Sequence, residues 1–198
     1  MNSISPILNI MIKACEKASK VIIRDFGEIE NLQVKKKGPK DFVTKTDIRV
    51  EKILINELEK SKKNYSFITE ETGVINKSDT DNYWIIDPID GTTNFLHGIP
   101  HFAISIALKS KNEIISGLIF DPIKNEMFYA EKNAGSFFNN RRIRVSKKIE
   151  LEDCLFATNH EGAIQSKFNL RYSGCAALDL AYVACGRFDG YFHNKINI

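Results

Sequence analysis

Apolar side chains recur at Ile4, Ile7, Leu8, Met11, Cys15, Ala18, Ile22 and Phe26, the spacing of one helical stripe with charges on the opposite face. Gly27 supplies the stop. Ile29 to Lys36 alternates weakly and predicts a strand leading to the break at Gly38-Pro39. A second helical stripe, Val50, Ile53, Leu54 and Leu58, follows Thr44-Lys45-Thr46-Asp47, which places Asp47 in the first turn of that helix. On local sequence alone Asp47 is a capping acid, favoured there by the helix dipole. Tyr65 to Ile68 reads as a short strand running into Glu70-Glu71. Two adjacent acids at a strand end point to opposite sides, and Glu70 is the one read as facing a site, an acidic loop before Gly73 being the other reading. Asn76 to Asn82 reads as a polar loop that delivers the chain to the next apolar run.

That run, Trp84-Ile85-Ile86, ends in Asp87-Pro88-Ile89-Asp90-Gly91-Thr92-Thr93-Asn94. Pro88 fixes its own φ and pushes Asp87 toward extended geometry, so Asp87 is expected to close the strand and Asp90 to sit in a turn. Beyond Asn94 the pattern becomes short β-branched and aromatic runs, Phe102 to Leu108, Ile114 to Phe120, Glu126 to Ala130 and Ser136 to Phe138. Turn signals such as Lys111-Asn112 and Asp121-Pro122 separate them, as in an antiparallel meander. Asp121-Pro122 lacks the glycine and hydroxyls of the earlier motif and reads as a turn. Gly98 and Pro100 make a helical metal pair of His97 and His101 a poor reading. Asp153 to Ala157 predicts a strand, followed by a polar loop around His160-Glu161-Gly162. Gly174 to Gly186 carries Ala176, Ala177, Leu180, Val183 and Ala184 on a small-residue helix that can lie close on a sheet, and Asp189 to Phe192 begins another strand.

Composition changes this picture little. The 198 residues, 43% hydrophobic and 27% charged, suit one soluble domain or a small two-lobed unit. A net charge of +3 does not argue for a nucleic-acid partner. The basic spots Lys35-Lys36-Lys37 and Arg141-Arg142 read as solvated loops. Cys15, Cys154, Cys175 and Cys185 have no C-x-x-C spacing and no leader precedes them, the pattern of reduced, buried thiols in a cytoplasmic protein. The charged N-terminal stripe excludes a signal segment or membrane span.

The chemistry lies in the Trp84 strand and its continuation. A strand, two carboxylates three positions apart, then glycine and adjacent hydroxyls is the order that a metal-phosphate site needs. Gly91 lets the backbone approach a ligand, and Thr92, Thr93 and Asn94 are N-cap residues whose following N–H groups would face an anion. Two hard oxygen ligands beside such a nest describe Mg2+ held between protein and phosphate. An isolated D-P or D-G pair, by contrast, is only a polar turn.

With these stretches in view, the sequence resembles the inositol monophosphatase family of Mg2+-dependent, lithium-sensitive phosphatases, in its bacterial SuhB-type branch. The resemblance rests on Asp41 to Asp47, Phe67 to Glu71, Trp84 to Phe95 and Gly174 to Arg187. It implies the layered α/β/α/β sandwich of the sugar-phosphatase superfamily, with residues 1–145 as an α+β part bearing the site and residues 146–198 as the start of a C-terminal α/β part. It further implies that Glu70, Asp87 and the Ile89 carbonyl hold a first metal, that Asp87 and Asp90 share a second, and that Asp47, Thr92 and Glu70 activate the attacking water. Substrate contacts fall to Glu70, Ile89, Asp90, Gly91, Thr92, Arg171, Gly174, Cys175 and Ala176. The activity implied is hydrolysis of inositol-1-phosphate, with 3′-phosphoadenosine 5′-phosphate, fructose 1,6-bisphosphate or histidinol phosphate as other substrates of the superfamily. A homodimer and a contact with the transcription machinery are implied as partners. Two departures bear on this. His193 stands where the family has a Glu for an inositol hydroxyl, and a Trp-Asp-x-Ala-Ala segment, whose Asp completes the second metal site, would begin just past Ile198. The expectation is a chain of family fold and weak activity, with a sheet edge and face left uncovered, unless a separate polypeptide supplies the segment.

Overall fold

The computed structural model describes residues 4–29, 34–38, 41–159 and 169–193, with side chains described outside 34–43. The loop around His160 and the break at Pro39 lie outside the described residues.

The first stripe folds as α1 (Pro6–Phe26), with Ser5 as its cap, the Ser5 hydroxyl accepting from the Leu8 N–H at 3.1 Å. Its buried face is Leu8, Met11, Ala14, Cys15, Ala18 and Ile22. Strands β1 (Val34–Gly38) and β2 (Asp41–Thr44) form an antiparallel pair that leads into α2 (Lys45–Ser61). In α2 the expected stripe is buried through Val50, Leu54 and Leu58, and Thr46, Asp47 and Glu51 are buried beside it.

The eight-stranded sheet has the order β10-β9-β8-β7-β6-β5-β3-β4. It comprises β3 (Tyr65–Thr69), β4 (Gly73–Ile75), β5 (Asp79–Asp90), β6 (Ala103–Ser110), β7 (Glu113–Asp121), β8 (Glu126–Glu131), β9 (Gly135–Phe138) and β10 (Arg141–Arg142). From β5 to β10 it is the antiparallel meander that the sequence predicts, while β3 pairs with β5 in parallel. Between β5 and β6 sits α3 (Thr92–Leu96). A second sheet of three parallel strands, in the order β12-β11-β13, contains β11 (Leu155–Thr158), β12 (Asn169–Arg171) and β13 (Gly190–Phe192).

The helix pair α1–α2 covers one face of the large sheet. Its core includes Trp84, Ile86, Ile104 and Ile106 from the central strands, all buried. On the opposite face lies α4 (Ala176–Ala184), whose Leu178 and Ala181 pack with Ala103 and Phe128. Helix, sheet, helix, sheet is the layered order expected. Beside α4 this face keeps an apolar groove of about 300 Å3, lined among others by Ala107, Gly117, Ile119, Leu180 and Ala184. Among the described residues no helix is long and apolar enough to cross a membrane.

Three local expectations are corrected. Asn76 to Asn82 is not wholly a loop, because β5 already starts at Asp79, where the Asp79 N–H donates to the Asn64 carbonyl at 2.9 Å. Nor does Asp87 end the strand. The partners are Asp87↔Ser105 and Asp90↔Ala103, so Pro88 and Ile89 lie where the register shifts and pairing resumes at Asp90. A proline without an N–H is tolerated where the ladder is locally broken. Finally, α4 buries Leu178, Asp179 and Ala181, while Leu180 is 47% exposed. The polar side chain of Asp179 is buried because Ser173 donates to its Oδ1 at 2.6 Å, a partner that hydrophobic periodicity does not reveal.

Candidate functional site

The acids named in the sequence converge at one end of the large sheet because β3 and β5 run parallel. Thr69 pairs with Ile86, and the Glu70 N–H donates to the Ile86 carbonyl at 3.2 Å, which leaves Glu70 beside Asp87. The two carboxyl groups are near enough for each charge to act on the other. The turn that carries Glu70 is held from α2, where the buried Glu51 carboxylate accepts from the Glu71 N–H at 2.8 Å and the Thr72 N–H at 3.1 Å.

One turn earlier on the same helix, Asp47 is fully buried. Its Oδ2 accepts from the Thr44 N–H and hydroxyl, completing a reciprocal cap at the start of α2. The other oxygen, Oδ1, lies 3.2 Å from the Thr92 hydroxyl, which is also 3.0 Å from the Ile89 carbonyl. Asp47 therefore caps its helix and reaches the Thr92 turn at once, using a different oxygen for each.

Gly91 has φ +96° and serves as the N-cap of α3 without a side-chain cap bond, so Thr92, Thr93 and Asn94 do not fill that role. A Cβ at Gly91 would lie 3.1 Å from the His101 carbonyl oxygen, 3.2 Å from the Phe102 Cβ and 3.3 Å from the Cys175 Cβ. Only glycine permits both the backbone angle and the approach. The turn is anchored below by Phe26, Phe95 and Phe102, whose rings meet at 5.1 to 5.9 Å between centroids.

The chain after Ser173 reaches the same place from the other layer. Asp90 Oδ2 accepts from the Ala177 N–H at 2.5 Å and from the Cys175 thiol at 3.3 Å. Sequence reasoning chose Gly174, Cys175 and Ala176 but missed Ala177, which acts through its backbone, and Asn94, which binds the Ser173 carbonyl at 2.7 Å. Ala177 has no side-chain signal for this contact, and the Asn94 amide finds its carbonyl 79 positions away in the chain only once the layers have packed. Arg171 is not drawn in: it lies exposed on β12, with its guanidinium on the neighbouring Leu170 carbonyl at 2.9 Å. His193 lies close enough for its charge to favour the ionised form of Asp90.

Electrostatically this is a strained acid cluster. Burial first, then the charges of Glu70 and Asp90, hold the Asp87 carboxyl well above the usual carboxylate range. Burial also raises Asp90, against the pull of the Ala177 N–H and the Cys175 thiol, and raises Asp47 against its bonds to Thr44. Among the described residues no group of three or more His, Cys, Asp or Glu side chains is arranged to hold a metal ion by itself. The acids couple pairwise instead, Glu70 to Asp87 and Asp87 to Asp90. Carboxylate oxygens with a neighbouring carbonyl are the donors of a hard divalent cation. A positive charge between such pairs would relieve the repulsion that raises Asp87, so the residues fit one.

The profile of the inositol monophosphatase family matches residues 3–198. The inositol-1-monophosphatase of Rhizobium meliloti (strain 1021) is 44% identical over 207 residues, covering 97% of this chain and 78% of that protein. The Nus factor SuhB of Haemophilus influenzae is 40% identical over 203 residues, covering 95% and 76%. Among solved structures, the extragenic suppressor protein suhB from Bartonella henselae superposes with a TM-score of 0.94 at 45% identity, over 98% of this chain and 80% of that one. Sequence profile, relatives and architecture agree: the chain belongs to the inositol monophosphatase family.

Proposed function

We propose that the chain hydrolyses a phosphate monoester with a divalent cation, Mg2+, and that inositol-1-phosphate is the substrate. The observation that carries this reading is the convergence of Glu70, at the end of β3, on Asp87 and Asp90 of the parallel β5, next to the Asp47–Thr92 pair. Relatives named inositol-1-monophosphatase, at 41 to 44% identity, support the substrate.

Glu70, Asp87 and the Ile89 carbonyl would hold a first ion, and Asp87 with Asp90 a second. When bound, such ions neutralise phosphate charge and acidify water. The remaining steps belong to the chain. Thr92 has one hydroxyl proton and two acceptors, Asp47 Oδ1 and the Ile89 carbonyl, so its oxygen lone pairs are turned outward to accept a proton from water. As the water proton reaches the Thr92 oxygen, the proton that hydroxyl already carries passes to Asp47 Oδ1, the Asp47 Oδ2 being committed to Thr44. The Gly91 and Thr92 N–H groups would meet the phosphate. Asp90 Oδ2 is occupied by Ala177 and Cys175, which leaves Oδ1 for the leaving-group side, where the Gly174 to Ala176 segment would meet the ring hydroxyls.

The test is the initial rate on inositol-1-phosphate with Mg2+, with chelator and in Asp90→Asn. Chelation and Asp90→Asn should each lower the rate by at least about a hundredfold, the effect of removing a group that steadies transition-state charge. Equal rates in all three would overturn the reading.

A second reading is favoured by relatives named Nus factor SuhB at 37 to 40% identity: a surface contact with the transcription machinery. Asp90→Asn should leave that contact intact, measured by co-purification with RNA polymerase. Pairing of two copies belongs to the same proposal and is checked by sedimentation.

A further inference from the structure

Asn94 is 8% exposed and sits in α3, four positions beyond Asp90. Its Nδ2 donates to the His101 carbonyl at 2.8 Å and to the Ser173 carbonyl at 2.7 Å. Two carbonyl acceptors can be met only by an NH2 group, so chemistry fixes the orientation of the amide. The two carbonyls come from different layers: His101 precedes β6 of the large sheet, and Ser173 precedes α4.

Directly after Ser173 the chain lies flat on this amide. Gly174 has φ +79°, and a Cβ there would be 3.1 Å from both Asn94 Nδ2 and Oδ1. The following residues carry the thiol and the N–H that occupy Asp90 Oδ2. On the far side, Ser173 holds Asp179 of α4 at 2.6 Å. The segment is thus fastened to the motif at two points, Asn94 and Asp90.

We propose that Asn94 is a positioning residue of the leaving-group side of the site. By clasping Ser173 it holds the Cys175 thiol and Ala177 N–H on Asp90 Oδ2, so that Asp90 presents Oδ1 alone and the Gly174–Ala176 backbone stays at the ring hydroxyls. The inference rests on the phosphatase reading above and adds to it a residue that touches neither phosphate nor cation. Its consequence is selective, because Asp47, Glu70, Asp87 and Thr92 are held by other elements.

The experiment uses the full chain and Asn94→Asp, which keeps the shape but sets a carboxylate against two carbonyls. Inositol-1-phosphate and p-nitrophenyl phosphate, which lacks ring hydroxyls, are compared at saturating Mg2+, and iodoacetamide labelling of Cys175 is followed by peptide mass mapping. KM for inositol-1-phosphate should rise about tenfold, as expected for roughly one lost net hydrogen bond, while kcat/KM for the aryl ester, which has no ring hydroxyl to lose and feels only the change at Asp90, should fall by a clearly smaller factor. Cys175 should label about tenfold faster or more, with the core thiol Cys15 silent, since local opening leaves the rest folded. A parallel loss on both substrates, unchanged Cys175 labelling, or Cys15 labelling that rises with Cys175 would each overturn the proposal. If Asn94→Asp yields no folded protein, Gly174→Ala presses a methyl into the same amide: faster Cys175 labelling then supports the clasp, and unchanged labelling refutes it. If the unmodified chain hydrolyses neither ester, the phosphatase reading fails, and labelling alone decides whether the clasp exists.

Discussion

Thr92 shows how much one side chain can be asked to do. Its hydroxyl is shared between Asp47 Oδ1 and the Ile89 carbonyl, so its removal costs an acceptor for the attacking water but no metal-facing oxygen. Thr92→Ala is therefore expected to lower kcat about a hundredfold, as for loss of a general-base path. The half-saturating Mg2+ concentration should stay within about twofold. Steady-state rates over a Mg2+ series separate the two quantities, and an unchanged kcat removes Thr92 from the mechanism. Gly91 is limited by shape instead. Gly91→Ala combines an unfavourable left-handed angle, about 1–2 kcal/mol, with three contacts at 3.1 to 3.3 Å. Lower stability in urea together with lost activity is the expected outcome. The motif's glycine could be read from sequence because glycine is the usual residue for such an angle, but the collision with Cys175 could not.

Among elements, the pair α1–α2 bears most directly on the site. The buried Asp25 in the last turn of α1 accepts from the Thr46 hydroxyl at 2.8 Å and from Arg49 at 3.2 Å, while Arg24 binds its other oxygen at 2.6 and 2.8 Å. Thr46 and Arg49 flank Asp47, so Asp25 ties the first turn of α2 to α1. Asp25→Ala leaves the buried Thr46 hydroxyl without its charged acceptor, the half-exposed arginines turning to water, and should cost about 1–3 kcal/mol in urea unfolding. Asp25→Asn should cost less, because the amide oxygen still accepts. Equal stability of both variants with the unmodified chain would show that the arginines find other partners. The stripes of α1 and α2 were legible from apolar spacing, whereas Asp25 and Glu51 were not. A polar residue on a buried face gives no signal until its partner is known, and Thr46 and Thr72 are brought to them by folding.

For the molecule as a whole, the raised carboxyls set a direction for pH dependence. Burial pushes the Asp179 carboxyl from 3.8 to about 6, with Ser173 opposing and the Asp90 charge adding. A raised acid holds its proton more tightly when folded than when unfolded, so its contribution to stability declines as pH rises from 3.8 through about 6. Asp47, Asp87 and Asp90 act in the same direction. In metal-free buffer the thermal midpoint should fall across this window, and Mg2+ should restore it at pH 7.5 far more than at pH 4.5, where the protonated acids have no charge to offer. A Mg2+ increment equal at both pH values would disconnect the acid cluster from the cation.

The local order of apolar and polar residues determined both long helices, the meander and the strand that ends in the acids, because burial of a periodic face is a local property of the chain. Asp87, Asp90, Gly91 and Thr92 could be named as candidates from their order in the chain together with the family resemblance. Which oxygen of each acid is committed, and to whom, was decided only in three dimensions. Asp47 serves its own cap with one oxygen and Thr92 with the other, and Asp90 is met by a thiol and an N–H from a segment 85 to 87 positions away in the chain. Pro88 marked a break, but the pairing that resumes at Asp90 depended on β6. Arg171, plausible by sequence, stays on the exposed β12 strand instead. The physical reason is the same throughout. Periodicity records which face is buried, while the pairing of buried polar groups depends on partners that are distant in sequence and adjacent only once the layers have packed.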